Sequence, residues 1–194
     1  MKKIISMFGL LLSLQRIAQP VVGSMPAQDC EGNSGTVSYS ISGLYNPGNV
    51  FTLELSDVSG SFSAPTALGT ISSVTAGSIA YTLPTSIPIG TGYRVRITSS
   101  NPSNIGPDNG IDFAINDVPA TPTAIIGNSP VCPSSSQTYG VVSLPGVSSY
   151  SWTLPSGWAG SSSANTITTF TSTTGGNVLV VANNLCGSSA SVSF

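Results

Sequence analysis

Histidine is absent from the 194 residues, and lysine occurs only at positions 2 and 3. The commonest general base and metal ligand is therefore missing. Schiff-base and Ser–Lys chemistry is missing from everything beyond the first few residues. Charge of either sign is scarce: Asp, Glu, Lys and Arg make up 6% of the chain, against about a quarter in ordinary soluble domains. After Arg16 the only cations are Arg94 and Arg96, set against seven carboxylates. A nucleic-acid groove needs clustered cations to displace counterions, so nucleic acid is excluded as a partner. No apolar run reaches the ~20 residues of a spanning helix, so no membrane span is expected. There is no Gly-x-Ser-x-Gly elbow, no phosphate loop and no zinc-type cysteine spacing. The chain is read as not an enzyme, with no catalytic residues, no cofactor and no metal site.

What is present is Ser, Thr and Asn for polarity, and Val, Ile, Tyr, Phe and Thr recurring throughout. That composition suits packed sheets with hydroxyl-rich outer faces and argues against disorder. The first segment reads as an address. Lys2-Lys3, the apolar run Ile4 to Leu14 and small residues near Gly23 and Ala27 describe a secretory signal peptide over residues 1–27. The cleavage point within it is open, and Arg16 speaks against a cut after Ala18. Export to a secreted or cell-surface location fits the use of cysteine. Cys30, Cys132 and Cys186 are odd in number, so at most one intramolecular bridge forms. Cys132 and Cys186 flank one candidate domain and are the expected disulfide, worth about 4 kcal/mol by loop entropy. Cys30 is then free or pairs outside the chain.

From residue 37 onward, alternation is punctuated by turns every ten residues or so, the pattern of β-sandwiches. Strands are expected over 37–41, 51–55, 68–74, 78–83, 93–97 and 111–115. A second set covers 124–126, 137–142, 150–154, 166–170, 177–182 and 188–194. Between the two sets, Asp117 to Pro122 carries two prolines and reads as a semi-rigid linker. The expected fold is all-β: two tandem immunoglobulin-like β-sandwich modules, 28–116 and 123–194, joined by a linker at 117–122.

Two stretches resemble known families. Phe51-Thr52-Leu53-Glu54-Leu55-Ser56-Asp57, Ser59-Gly60-Ser61-Phe62, Ile87 to Arg96 and Asp108-Asn109-Gly110 resemble a module of large secreted surface proteins of Gram-negative bacteria. Pro130-Val131-Cys132, Tyr150 to Trp158 and Ala182 to Ser188 resemble the PKD-like immunoglobulin-type domain. The resemblance implies repeated spacer or adhesive units in long modular chains of the adhesin type, and this chain is expected to be part of a longer protein.

The remaining chemistry is thin. Glu54, Asp57, Asp108 and Asp112 are the carboxylates a glycosidase pair would draw on; turn chemistry and surface charge are the plainer reading. Asp108, Asn109, Asp112 and Asp117 are candidate calcium donors, although Asn-Gly is also a common tight turn. Trp158, in a loop, and Tyr45 are candidate sugar-stacking rings, whereas Trp152 alternates with Tyr150 and Leu154 and reads as core. Arg94, Arg96 and Glu54 are expected on outer faces, with Glu54 across from one arginine. The expected function is a non-catalytic extracellular structural or adhesive module, whose partners would be surface glycans or other surface proteins. The alternative is a carbohydrate-binding module, accessory to a secreted enzyme.

Overall fold

The computed structural model describes residues 18–194; residues 1–17, the greater part of the expected signal peptide, lie outside the described residues. Every regular element among the described residues is a strand. The chain divides into two compact units.

The first unit comprises the described part of Met1–Met25 with Ser34–Thr82 and Gly92–Asp112. One of its sheets contains β1 (Gln19–Val22), β3 (Ser34–Ser42) and β6 (Gly77–Thr82), in the order β1-β3-β6. The other contains β4 (Val50–Leu55), β5 (Thr66–Ser72), β8 (Val95–Ser100) and β9 (Ser103–Asp108), in the order β5-β4-β8-β9. Period-two alternation produces the core directly. Phe51, Leu53 and Leu55 point inward from β4, and Val95 and Ile97 point inward from β8, all fully buried. Tyr39 and Tyr45 flank Phe51 with ring centroids 4.8 Å away in each case. Each such side chain removed from water contributes about 1.5–3 kcal/mol.

Asn49 fixes the register at one end of this sheet. It is 1% exposed, its Oδ1 accepts from the backbone N–H groups of Ser100 and Asn101, and its Nδ2 donates to the Ser73 carbonyl. One buried amide thus ties the start of β4 to the β8–β9 turn and to the end of β5. β9 occupies a stretch that sequence pattern reads as loop, because Pro107 and Gly106 interrupt its alternation. Both are tolerated at a sheet edge, where a missing N–H or side chain breaks no inner ladder. β1 also lies outside the expected strands, since residues 19–22 belong to the segment that reads as signal peptide. They pair antiparallel with β3 from Gln19↔Ser42 to Val22↔Tyr39.

The second unit comprises Pro26–Asn33, Leu83–Thr91 and Phe113–Phe194. β2 (Gln28–Cys30) runs parallel to β10 (Phe113–Asn116), with Cys30 opposite Asn116; β7 (Gly90–Tyr93) completes their three-stranded sheet. β11 (Ser136–Gly140) pairs with β13 (Thr166–Phe170). β12 (Ser149–Thr153) pairs with β14 (Leu179–Asn184), which also pairs with β15 (Gly187–Ser188) and β16 (Val192–Ser193). These two sheets enclose a core of Ile125, Tyr139, Val141, Tyr150, Ile167, Val178, Val180 and Ala182. Trp152, Leu154 and Trp158 pack against it, half-buried. Segment 117–122 is docked in this unit: the Asp117 carbonyl accepts from Asn184 Nδ2, and Pro119 and Pro122 are buried.

Candidate functional site

Both arginines beyond residue 16 lie on the outer face of β8 and its approach, as their alternation with Tyr93, Val95 and Ile97 requires. Glu54 stands opposite Arg96 in the β4–β8 ladder, and Arg96 Nε donates to Glu54 Oε2 at 2.8 Å. The guanidinium also lies 4.4 Å over the Phe62 ring, a favourable stacking of cation on aromatic face. Both side chains of the pair are 18% exposed, so water is largely kept from it. Arg94 Nε donates to Asp112 at 2.6 Å, and its Nη1 reaches Asp108 at 3.5 Å. The Asp112 hydrogen bond first, and its charge second, hold the guanidinium above its ordinary pKa.

The candidate calcium donors are thereby engaged elsewhere. Asp108 and Asp112 face Arg94. Asn109 Oδ1 accepts from the Val95 N–H and its Nδ2 donates to the Ile111 carbonyl, while Asp108 Oδ1 accepts from the Gly110 N–H. Asp117 accepts from its neighbour's N–H at Val118. Among the described residues no group of three or more His, Cys, Asp and Glu side chains is placed to hold a metal. Asp57 closes a tight loop instead. Its Oδ1 accepts from the Ser59 hydroxyl and from the backbone N–H groups of Ser59 and Ser61. The Ser59 hydroxyl and then the Ser61 amide lower its carboxyl pKa below the usual range.

The disulfide is Cys30–Cys186, with Cα atoms 5.6 Å apart, and Cys132 is free and exposed. This corrects the expected Cys132–Cys186 pair. The expectation assumed that a bridge stays within the sequence bounds of one module. Strand pairing decides otherwise. β2 sets Cys30 beside Asn116, and the chain leaving Asn116 runs along the β14–β15 turn. There Asn184 bonds the Asp117 carbonyl and Val118 packs on Gly187, so Cys186 arrives next to Cys30. Cys132 is held elsewhere, on the loop before β11. Thr171 Oγ1 donates to its carbonyl at 2.8 Å and accepts from the Ser135 N–H at 3.0 Å. Three cysteines carry no signal that separates these pairings; only the parallel β2–β10 contact does.

The aromatic candidates also resolve. Tyr45 is buried at 7% exposure and presents no ring to solvent. Trp152 donates its indole N–H to the Ala164 carbonyl and packs on the core, as its alternation predicts. Trp158 follows a turn in which its N–H returns to the Pro155 carbonyl and Gly157 takes φ +80°. A type II turn demands that positive φ. The turn lays Trp158 against Tyr139, centroids 6.2 Å apart, with its indole N–H on the Thr174 carbonyl. A cleft of about 330 Å³ opens beside it, lined by Trp158, Tyr139, Phe194, Asn128 and Asn177 among others.

Residues 118–194 match the PKD-like domain family. The PKD-like region thus begins within the docked segment and takes in the core residues from Ile125 to Ala182 and the free Cys132. No curated protein matches the chain. Among solved structures, the FN1-FN3 domains of chicken CNTN1 are similar at 14% identity and a TM-score of 0.44, over 91% of this chain and 65% of that one. Murine CEACAM1b is similar at 16% identity and a TM-score of 0.35, over 90% of this chain and 98% of that one. This chain therefore spans just under two thirds of the CNTN1 structure's length.

Proposed function

We propose that the chain is a non-catalytic extracellular module of a bacterial surface or secreted protein, built to space and present rather than to transform a substrate. The observation that carries this reading is the use of its scarce chemistry for structure. Arg96 is spent on Glu54, Arg94 on Asp112 and Asp108, and Asp57 on its own loop. The PKD-like match and the disulfide support it, since such bridges persist in oxidising compartments. Export through the N-terminal segment, the two-module division at 117–122 and placement in a longer modular chain belong to the same proposal. The direct test exchanges the chain, within its surface protein, for an inert β-sandwich spacer of similar length. Spacing predicts retained adhesion by the displaying cell; lost adhesion with normal display would refute it.

A glycan-binding role is favoured by one observation, the cleft beside Trp158 with its asparagine side chains. Against it, the Trp158 indole N–H is already bonded and the ring is half-buried. Saturable binding to a polysaccharide, abolished by Trp158→Ala with the fold intact, would establish that role in place of spacing.

A further inference from the structure

The segment read as signal peptide contains a strand that the rest of the first unit is shaped to receive. In β1, Pro20 and Val22 are buried while Gln19 and Val21 face out. The ladder to β3 continues past the strand, with the Gly23 N–H on the Ser38 carbonyl at 2.8 Å. On its other side β1 lies against β9 at Gly106. A Cβ on that glycine would stand 2.1 Å from the Pro20 carbonyl oxygen and 2.8 Å from the Ile97 carbonyl oxygen of β8, and no side chain tolerates either distance. Residue 106 is thus compatible with β1 only as glycine. Asn104 donates its side-chain amide to the Ala18 carbonyl, a contact that a cut after Ala18 gives up. Gly106, more than eighty positions away in sequence, complements β1 itself at Pro20.

We infer that the leader ends at Ala18 and that the mature chain begins at Gln19 with β1 in place. This rests on the export reading above. Water adds across the Ala18–Gln19 amide under a signal peptidase, leaving a carboxylate on Ala18 and a free α-amine on Gln19. The other small residues at which a leader could end, Gly23 and Ala27, lie beyond β1. Cleavage there would discard Pro20 and Val22 from the interior and bare the edge of β3 from Tyr39 to Ser42. An unpaired edge of that kind recruits a strand from another chain. Arg16 disfavours Ala18 by sequence, but a cut at Ala18 keeps the whole β1–β3 ladder.

The experiment expresses the full chain with its own N-terminal segment in a Gram-negative host. The exported protein is then read by N-terminal sequencing and intact mass. The expected N-terminus is Gln19; one at Ser24 or Gln28 overturns the inference while leaving export standing, and an uncleaved chain in the cytoplasm overturns both. A second measurement compares leaderless chains starting at Gln19 and at Ser24. The first should be monomeric, with protected amides over 39–42. The second should melt several degrees lower and self-associate. Equal melting and equal monomer content would also overturn the inference.

Discussion

Removing the Cys30–Cys186 bridge is the sharpest perturbation the structure offers. The bridged residues are 156 apart in sequence. In the chain-entropy model, opening a loop of that length costs about 5 kcal/mol, against about 4 for the loop that Cys132 and Cys186 would have closed. The two pairings differ by only about 1 kcal/mol, so stability cannot identify the bridge and peptide mapping must. The measurement belongs in a Cys132→Ser background, where the exposed thiol cannot exchange with the bridge after unfolding. There, urea unfolding of the oxidised protein is compared with that of a variant also carrying Cys30→Ser and Cys186→Ser. We expect a loss of several kcal/mol, up to about 5, together with a larger m-value, because the uncrosslinked denatured chain exposes more surface. A loss below about 1 kcal/mol, or an unchanged m-value, would refute the denatured-state account. Mapping that joined Cys30 to Cys132 would refute the pairing itself.

The buried amide gives a second expectation: Asn49→Ala leaves the Ser100 and Asn101 N–H groups and the Ser73 carbonyl without their partner, and should cost about 3 kcal/mol or more in denaturant midpoint analysis. Glu54→Gln weakens the pair with Arg96, and a loss of about 1 kcal/mol that shrinks in high salt is expected from double-mutant cycles with Arg96→Ser. Gly157→Ala strains the turn at φ +80°; it should cost about 1 kcal/mol or more and shift tryptophan emission to the red as Trp158 loosens. Asp57 has a lowered carboxyl pKa, so its contribution is complete above the ordinary carboxylate range and is lost as pH falls through the lower folded value. Asp57→Asn should flatten that acid limb of the stability curve, and an unchanged limb would show that the loop does not hold the charge.

Much of the fold is legible because one face of each strand is buried. Phe51, Leu53 and Leu55 against Thr52 and Glu54, or Tyr93, Val95 and Ile97 against the two arginines, announce both a strand and its orientation. The Arg96–Glu54 contact follows from that alternation once the two strands are neighbours. β9 is not legible, because Gly106 admits the close approach of β1 and Pro107 sits at a sheet edge, so neither residue follows sheet propensity. Asn49 was not legible either: a lone asparagine after Pro47-Gly48 reads as turn chemistry, and nothing local reveals that three backbone groups from elsewhere converge on it.

The disulfide and β1 failed to show in the sequence for a common physical reason. Both depend on non-local pairing, the parallel contact of β2 with β10 and the antiparallel contact of β1 with β3. Hydrophobic period fixes which way a side chain points but not which strand lies beside it. A leader pattern and a strand pattern also overlap at Gln19–Val22, where apolar and small residues satisfy both. The steric signal that separates them sits at Gly106, on a strand the alternation itself did not reveal. In sheets of this kind, a glycine or cysteine without a local role points to a neighbour distant in sequence. Here Gly106 and Cys30 each mark where a segment from the first thirty residues is built into the fold, by the close approach of β1 and by the bridge to Cys186.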